Sequence, residues 1–117
     1  MYMFIRNFLE AELVTEQCHR GIGTINHTSI YKKEDFDTKI QFINYVEIPP
    51  DASIGFHRHR EDEEVYIILE GNGIMKVNDE QTRVKPGDIL LNKPHWGHEL
   101  FNDSNEMLRA VVFEVLK

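Results

Sequence analysis

The sequence predicts an all-β fold, a sandwich or barrel of many short strands. Three observations carry this reading: apolar and polar residues alternate with period 2, the alternating runs are rich in β-branched and aromatic side chains, and Gly, Pro and Asn turn signals separate them. The chain has 117 residues, 41% of them hydrophobic and 28% charged, which suits one domain with one core. No repeat, linker or low-complexity stretch divides it, so residues 1–117 are read as a single domain.

Taken in order, the N-terminal segment 1–20 is the least strand-like. Ile5, Phe8, Leu9 and Leu13 fall at spacings that place them on one face of a short helix, expected to pack, with a partner subunit as one candidate surface. Strand character begins near Ile22. Between 40 and 48, Ile40, Phe42, Val46 and Ile48 alternate with Gln41, Ile43, Tyr45 and Glu47, and the run stops at Pro49-Pro50-Asp51. Further strands are predicted at 54–59, 65–69, 73–77, 81–84, 89–91, 98–101 and 108–116. Turns fall at Gly71-Asn72-Gly73, Asn78-Asp79, Pro86-Gly87-Asp88 and 102–105.

Charge and cysteine usage narrow the function. Thirteen Lys plus Arg stand against twenty Asp plus Glu, a net charge of -7 that opposes binding to nucleic acid or to anionic membranes. The sole cysteine, Cys18, excludes an intrachain disulfide and a cysteine-based zinc cluster. With no signal-peptide core and no spanning segment among residues 1–13, the expectation is a cytoplasmic protein.

Four of the six histidines, His57, His59, His95 and His98, lie between 57 and 98. His57 and His59 are two apart in a predicted strand and project from one face, half of a metal site or a solvated edge pair. Glu64 opens the next apolar strand and can return a carboxylate to the same pocket. If Glu64 points inward, Tyr66 and Ile68 do too, while Val65, Ile67 and Leu69 face out; Leu100 shares the face of His98.

These residues stand in a longer pattern. Asp51, five residues, His57-Arg58-His59, four residues, Glu64, six residues and Gly71 make one block; Gly87, five residues, Lys93-Pro94-His95, two residues, His98, three residues and Asn102 make another. The pattern resembles the two motifs of the cupin superfamily, small jelly-roll β-barrels. Asp51 replaces the first motif's leading glycine, and Lys93 and His95 replace a proline and a glycine of the second, with Pro94 and Gly97 available to supply the turn.

The resemblance implies a cupin jelly-roll with motif 1 at 51–71 and motif 2 at 87–102, and metal ligands His57, His59, Glu64 and His98. Three imidazoles and a carboxylate suit one divalent transition metal ion per chain and do not select among Mn, Fe, Co, Ni, Cu and Zn. About two coordination positions of an octahedral ion stay open for a small-molecule ligand. The implied function is a mononuclear metalloenzyme acting on a small polar or anionic metabolite, of dioxygenase, isomerase, decarboxylase or lyase type; the alternative is a non-catalytic small-molecule binding or sensing module.

His95 and Tyr66 are the candidates for moving protons, His95 equally readable as an alternative ligand or a surface-loop residue and Tyr66 as a core tyrosine. Trp96 is read as a packing residue or pocket lid. His19, His27 and Cys18 receive no role. Apolar residues on both faces of 40–48 and 108–116 exceed what one barrel interior can use, so a homodimer is expected.

Overall fold

Alternation along the chain resolves into ten strands among the described residues. The structure, a computed structural model, describes residues 3–117; Met1 and Tyr2, part of the segment 1–20 discussed above, lie outside them. The strands are β1 (Val14–Glu16), β2 (Ile25–Lys32), β3 (Ile40–Ile48), β4 (Ser53–Arg58), β5 (Asp62–Glu70), β6 (Gly73–Val77), β7 (Glu80–Val84), β8 (Ile89–Asn92), β9 (Gly97–Phe101) and β10 (Leu108–Leu116). A six-stranded sheet runs β1-β2-β3-β10-β5-β8 and a four-stranded sheet β4-β9-β6-β7, every pairing antiparallel.

The two sheets enclose one core and form a barrel. Ile25, Val46, Ile48, Ile68 and Val112 from the larger sheet meet Ile54, Met75, Val84 and Leu100 from the smaller. On β5, Glu64, Tyr66 and Ile68 are buried while Val65, Ile67 and Leu69 face outward, as the pleat requires. The outward residues align across strands into two apolar rows, Tyr45–Val111–Ile67–Ile89 and Ile43–Phe113–Val65–Leu91.

The N-terminal segment departs from expectation. Instead of an amphipathic helix there is one 3-10 turn, Phe8–Glu10, capped by the Asn7 side chain, which accepts from Leu9 N–H at 2.8 Å. Ile5 and Leu9 are 75% and 70% exposed, so no buried helical face exists. A segment this short cannot repay helix nucleation, and tertiary contacts hold it extended. The Arg6 guanidinium bonds the Asp35 carboxylate and the Ile30 carbonyl, and lies 4.5 Å from the Tyr31 ring centroid. Phe8 stacks on Tyr45 at 4.5 Å and covers it, so part of the outer apolar face is closed by the chain itself.

Two departures from the cupin motifs have a common backbone explanation. Asp51 and His95, where the motifs carry glycine, both adopt left-handed conformations, φ 66° and φ 69°. Aspartate and histidine tolerate that region better than most side chains, so the turns survive without glycine. His95 therefore makes the second turn. Gly97 does not: it opens β9, where a Cβ would strike the Phe56 ring at 2.3 Å. Gly71, at φ 88°, is stricter still, since a Cβ there would lie 2.4 Å from the Met107 carbonyl oxygen.

Unfolding of the metal-free protein by urea checks this. Gly71→Ala is expected to cost more than about 2 kcal/mol, combining left-handed strain with a backbone collision, whereas Asp51→Gly and His95→Gly should be neutral or stabilising by up to about 1 kcal/mol.

Candidate metal centre

The four ligand-type residues come from both sheets. His57 on β4 pairs directly with His98 on β9 in the smaller sheet, and one pleat directs both imidazoles inward. His59 lies one residue past β4, but its N–H donates to the Trp96 carbonyl at 3.1 Å, prolonging the ladder so that its ring keeps the face of His57. Glu64 arrives from β5 in the opposing sheet, opposite Glu114 of β10. The site therefore bridges the two layers.

The nitrogens converge on one oxygen. His98 Nε2 lies 2.9 Å from Glu64 Oε1, His59 Nε2 3.3 Å and His57 Nε2 3.6 Å. The far sides of two rings are engaged: His57 Nδ1–H donates to the Gly55 carbonyl at 2.9 Å, and His59 Nδ1–H to Asp62 Oδ2 at 2.7 Å. Those bonds direct each Nε2 into the centre, the arrangement in which imidazole ligands are oriented by outer partners. His59 Nε2 is buried and has no hydrogen-bond partner among the described residues, an orphan that a cation would satisfy. Donor chemistry, convergence and orphaned nitrogen together fit a divalent ion.

Electrostatics agree with a site poised for a cation. Burial works to raise the Glu64 pKa, but the three imidazoles of His57, His59 and His98 gathered around one of its oxygens outweigh it and hold the carboxylate far below its usual range. Glu64 in turn, with Asp62, raises His59 from 6.5 to about 9 against the opposing effect of burial. His98, fully enclosed, moves down because burial disfavours its charged form. Behind His59, burial and the Asp62 carboxylate push Glu114 up to about 7. His59, Asp62 and Glu114 form a second cluster of metal-binding type, but it shares His59 with the first and engages its other nitrogen, so its evident work is to orient that ring.

A cavity of ≈ 100 Å³ opens onto the centre. His57, Glu64 and Tyr66 line it together with Ile25, Phe42, Val46, Ile54 and Val112, and Cys18, His19, His27 and Asn44 complete it. Tyr66 is 2% exposed, its ring set edge-on to His98 at 5.4 Å; burial, then the nearby Glu64 carboxylate, keeps its phenol protonated. His95 is elsewhere. Its side chain is exposed on the surface turn, with Nε2 2.9 Å from Glu61 Oε1, and it does not reach the cavity. Trp96 is 40% exposed beside Asn78 and Asp79, on the outside as well.

Sequence reasoning passed over His19, His27 and Cys18, and the structure places all three in the cavity wall. His19 stacks on His57 at 3.7 Å, nearly parallel, and His27 Nε2 pairs with Glu16. Burial pushes the Cys18 thiol up to about 11, so it remains a thiol at neutral pH. The one available signal was the pair Gly21 and Gly55, which lets residues 18–22 lie directly on β4; it crosses the chain and has no local pattern.

Comparison with known proteins agrees with this architecture. Residues 44–114 match the Cupin domain family, and the chain belongs to it. It is 27% identical over 96 residues, 82% of its length and 79% of the relative's, to an oxalate-binding protein of Thermotoga maritima. It is 32% identical over 92 residues, 77% of its length and 68% of the relative's, to an uncharacterized protein of Methanocaldococcus jannaschii. Among solved structures, a Thermotoga maritima protein described as a "predicted oxalate decarboxylase" superposes with a TM-score of 0.94 at 23% identity, covering 97% of this chain and all of that one, a likeness of fold.

Metal binding should follow the protonation of His59. At pH 7 the metal-free ring carries a proton that an ion must displace, so apparent affinity should climb with pH, by up to tenfold per unit, and level off above about 9. Calorimetry in buffers of different ionisation enthalpy should read close to one proton released per ion at pH 7 and none above that limit. Alanine at His57, His59 or His98 should abolish stoichiometric binding, and Glu64→Gln should weaken it by removing the anionic donor, with His27→Ala as a control that retains it.

Proposed function

We propose that this cupin holds one divalent transition metal ion through His57, His59, Glu64 and His98, and uses it to bind and transform a small anionic metabolite. The observation that carries this is the convergence of three Nε2 atoms and one carboxylate at a cavity of only ≈ 100 Å³. A divalent ion bound there supplies an electrophilic centre that attracts and polarises ligand oxygens. One carboxylate ligand leaves that centre net positive.

The protein's own residues shape what enters. Among the described residues no Lys or Arg lines the cavity, so an anion finds its positive partner at the ligand cluster. Ile25, Phe42, Val46, Ile54 and Val112 exclude water and leave space for a handful of heavy atoms. That supports a two- or three-carbon acid with two oxygens in chelating array over a sugar acid, and the Thermotoga relative's name points to the same class. Tyr66, a buried neutral phenol beside Glu64, brings to the wall a hydroxyl that can give a proton. His95, joined to Glu61 outside, takes no part.

A second reading, a binding module without turnover, is favoured by one observation: beyond the ligand cluster, burial holds both the Tyr66 phenol and the Cys18 thiol of the wall in their protonated forms, which makes each slow to give up its proton. Calorimetry with oxalate, malonate and pyruvate on metal-loaded and EDTA-treated protein tests the shared core of both readings. Removal of the metal should weaken binding at least a hundredfold; equal binding by both forms would refute them. Turnover of a bound acid that falls at least tenfold in Tyr66→Phe, with metal content retained, would establish the enzyme over the module.

The reading extends to assembly. The two apolar rows outside the larger sheet stay partly open at Val65, Phe113, Ile89 and Leu91, and a second copy of the chain would cover them. Light scattering at micromolar concentration should give twice the monomer mass, reduced to the monomer by Leu91→Glu. A monomeric mass for the parent protein would end the dimer proposal.

A further inference from the structure

The residues at the cavity mouth differ in how they are engaged. His27 is tied to Glu16, and the Asn44 side-chain oxygen accepts from the Ser29 hydroxyl at 2.7 Å. His19 is engaged through the face of its ring, which stacks on His57 at 3.7 Å and 14°; it lines the cavity, stays exposed, and its ring nitrogens make no hydrogen bond among the described residues.

Much structure is committed to holding it there. The Cys18 carbonyl accepts from Gly21 N–H at 2.9 Å and Gly55 N–H at 3.0 Å, while Ser53 N–H donates to the Ile22 carbonyl and the Ser53 hydroxyl accepts from Ile22 N–H. Cys18 and Ile54 form a parallel bridge. A Cβ on Gly55 would lie 2.1 Å from the His19 carbonyl oxygen, and one on Gly21 2.3 Å from the Ser53 oxygen, so only glycines permit this approach. His19 and Arg20 both take left-handed conformations, φ 50° and 59°, a cost the surrounding bonds sustain. The strap crosses β4 two residues before His57, which sets the His19 ring over a ligand.

We propose that His19 is a ligand-selecting residue of the metal cavity, donating a ring N–H to the outward oxygen of a small dicarboxylate whose other oxygens face the ion. The inference rests on the metal-dependent acid binding proposed above and adds the group that reads the far side of the acid. A monocarboxylate such as acetate, once both its oxygens face the ion, has none left for His19. His19 thus separates di-acids from mono-acids of similar size, without contributing a ligand to the ion.

Two variants isolate the donor. His19→Phe keeps an aromatic ring for the stack on His57 and removes the N–H; His19→Asn keeps a donor and tolerates the left-handed backbone. Cobalt(II) titration followed by absorbance measures the metal site, and calorimetry on the cobalt-loaded proteins measures oxalate and acetate. We expect cobalt affinity within about twofold of the parent in both variants. Oxalate affinity should fall at least tenfold in His19→Phe and recover to within about threefold of the parent in His19→Asn, with acetate affinity unchanged throughout. Unchanged oxalate binding in His19→Phe with cobalt retained would overturn the role of His19 and leave the acid-binding reading intact. Equal losses for oxalate and acetate, or loss of cobalt in both variants, would overturn it in favour of a purely structural strap. Failure of the cobalt-loaded parent to bind either acid would overturn both readings.

Discussion

A carboxylate enclosed by three imidazoles is the constraint on which this barrel turns. Glu64 is 5% exposed between two apolar sheets, where an unpaired charge would cost several kcal/mol. His57, His59 and His98 offset that cost only if β4 and β9 stand at one distance and one register from β5. Their ring nitrogens, 2.9 to 3.6 Å from a single oxygen, thereby set the spacing of the layers. The pleat carries the constraint outward: with Glu64 turned in, Tyr66 and Ile68 enter the core and Val65 and Ile67 must face away.

The metal-free cluster balances itself by protonation. His59, raised to about 9, is the imidazolium counterpart of Glu64 at neutral pH. Its contribution to stability is complete below its ordinary 6.5 and is lost as pH rises through about 9. That of Glu64 is complete above its ordinary 4.5 and disappears as acid protonates it. Between those limits the ion pair sustains the pocket. A divalent ion would take the place of the proton, and the Asp62 carboxylate behind the ring would still hold its orientation.

The strand framework was legible because it is local. Strands β3, β6 and β10 match their sequence ranges end to end, and β4, β5, β7, β8 and β9 lie within a few residues, since alternation and turn residues act over short spans; β1 falls in the segment read as least strand-like. The ligand set could be read because His57, His59, Glu64 and His98 sit at spacings tied to strand parity and resembling cupin motifs, and the structure brings the four together. What escaped is long-range. Nothing near His19 announces that Gly21 and Gly55 allow its strap to rest on β4, and nothing near Arg6 announces Asp35 and Tyr31. The apparent helical face of Ile5, Phe8, Leu9 and Leu13 was a spacing without the length to nucleate. His95 is conspicuous in sequence because it stands so close to a ligand; its side chain pairs with Glu61 outside the cavity, the surface-loop placement that the sequence also offers.

Of the ten described strands β10 comes last in chain order, yet it lies inside the larger sheet, hydrogen-bonded to β3 on one side and β5 on the other. Until it is available, β5 has only β8 as a neighbour and β3 only β2, so the larger sheet remains two separate fragments with open edges. A nascent chain can carry every ligand residue and still lack the surface that presents Glu64 to the three imidazoles. Closure of the barrel and assembly of the pocket thus become one late event, paced by contacts between distant parts of the chain.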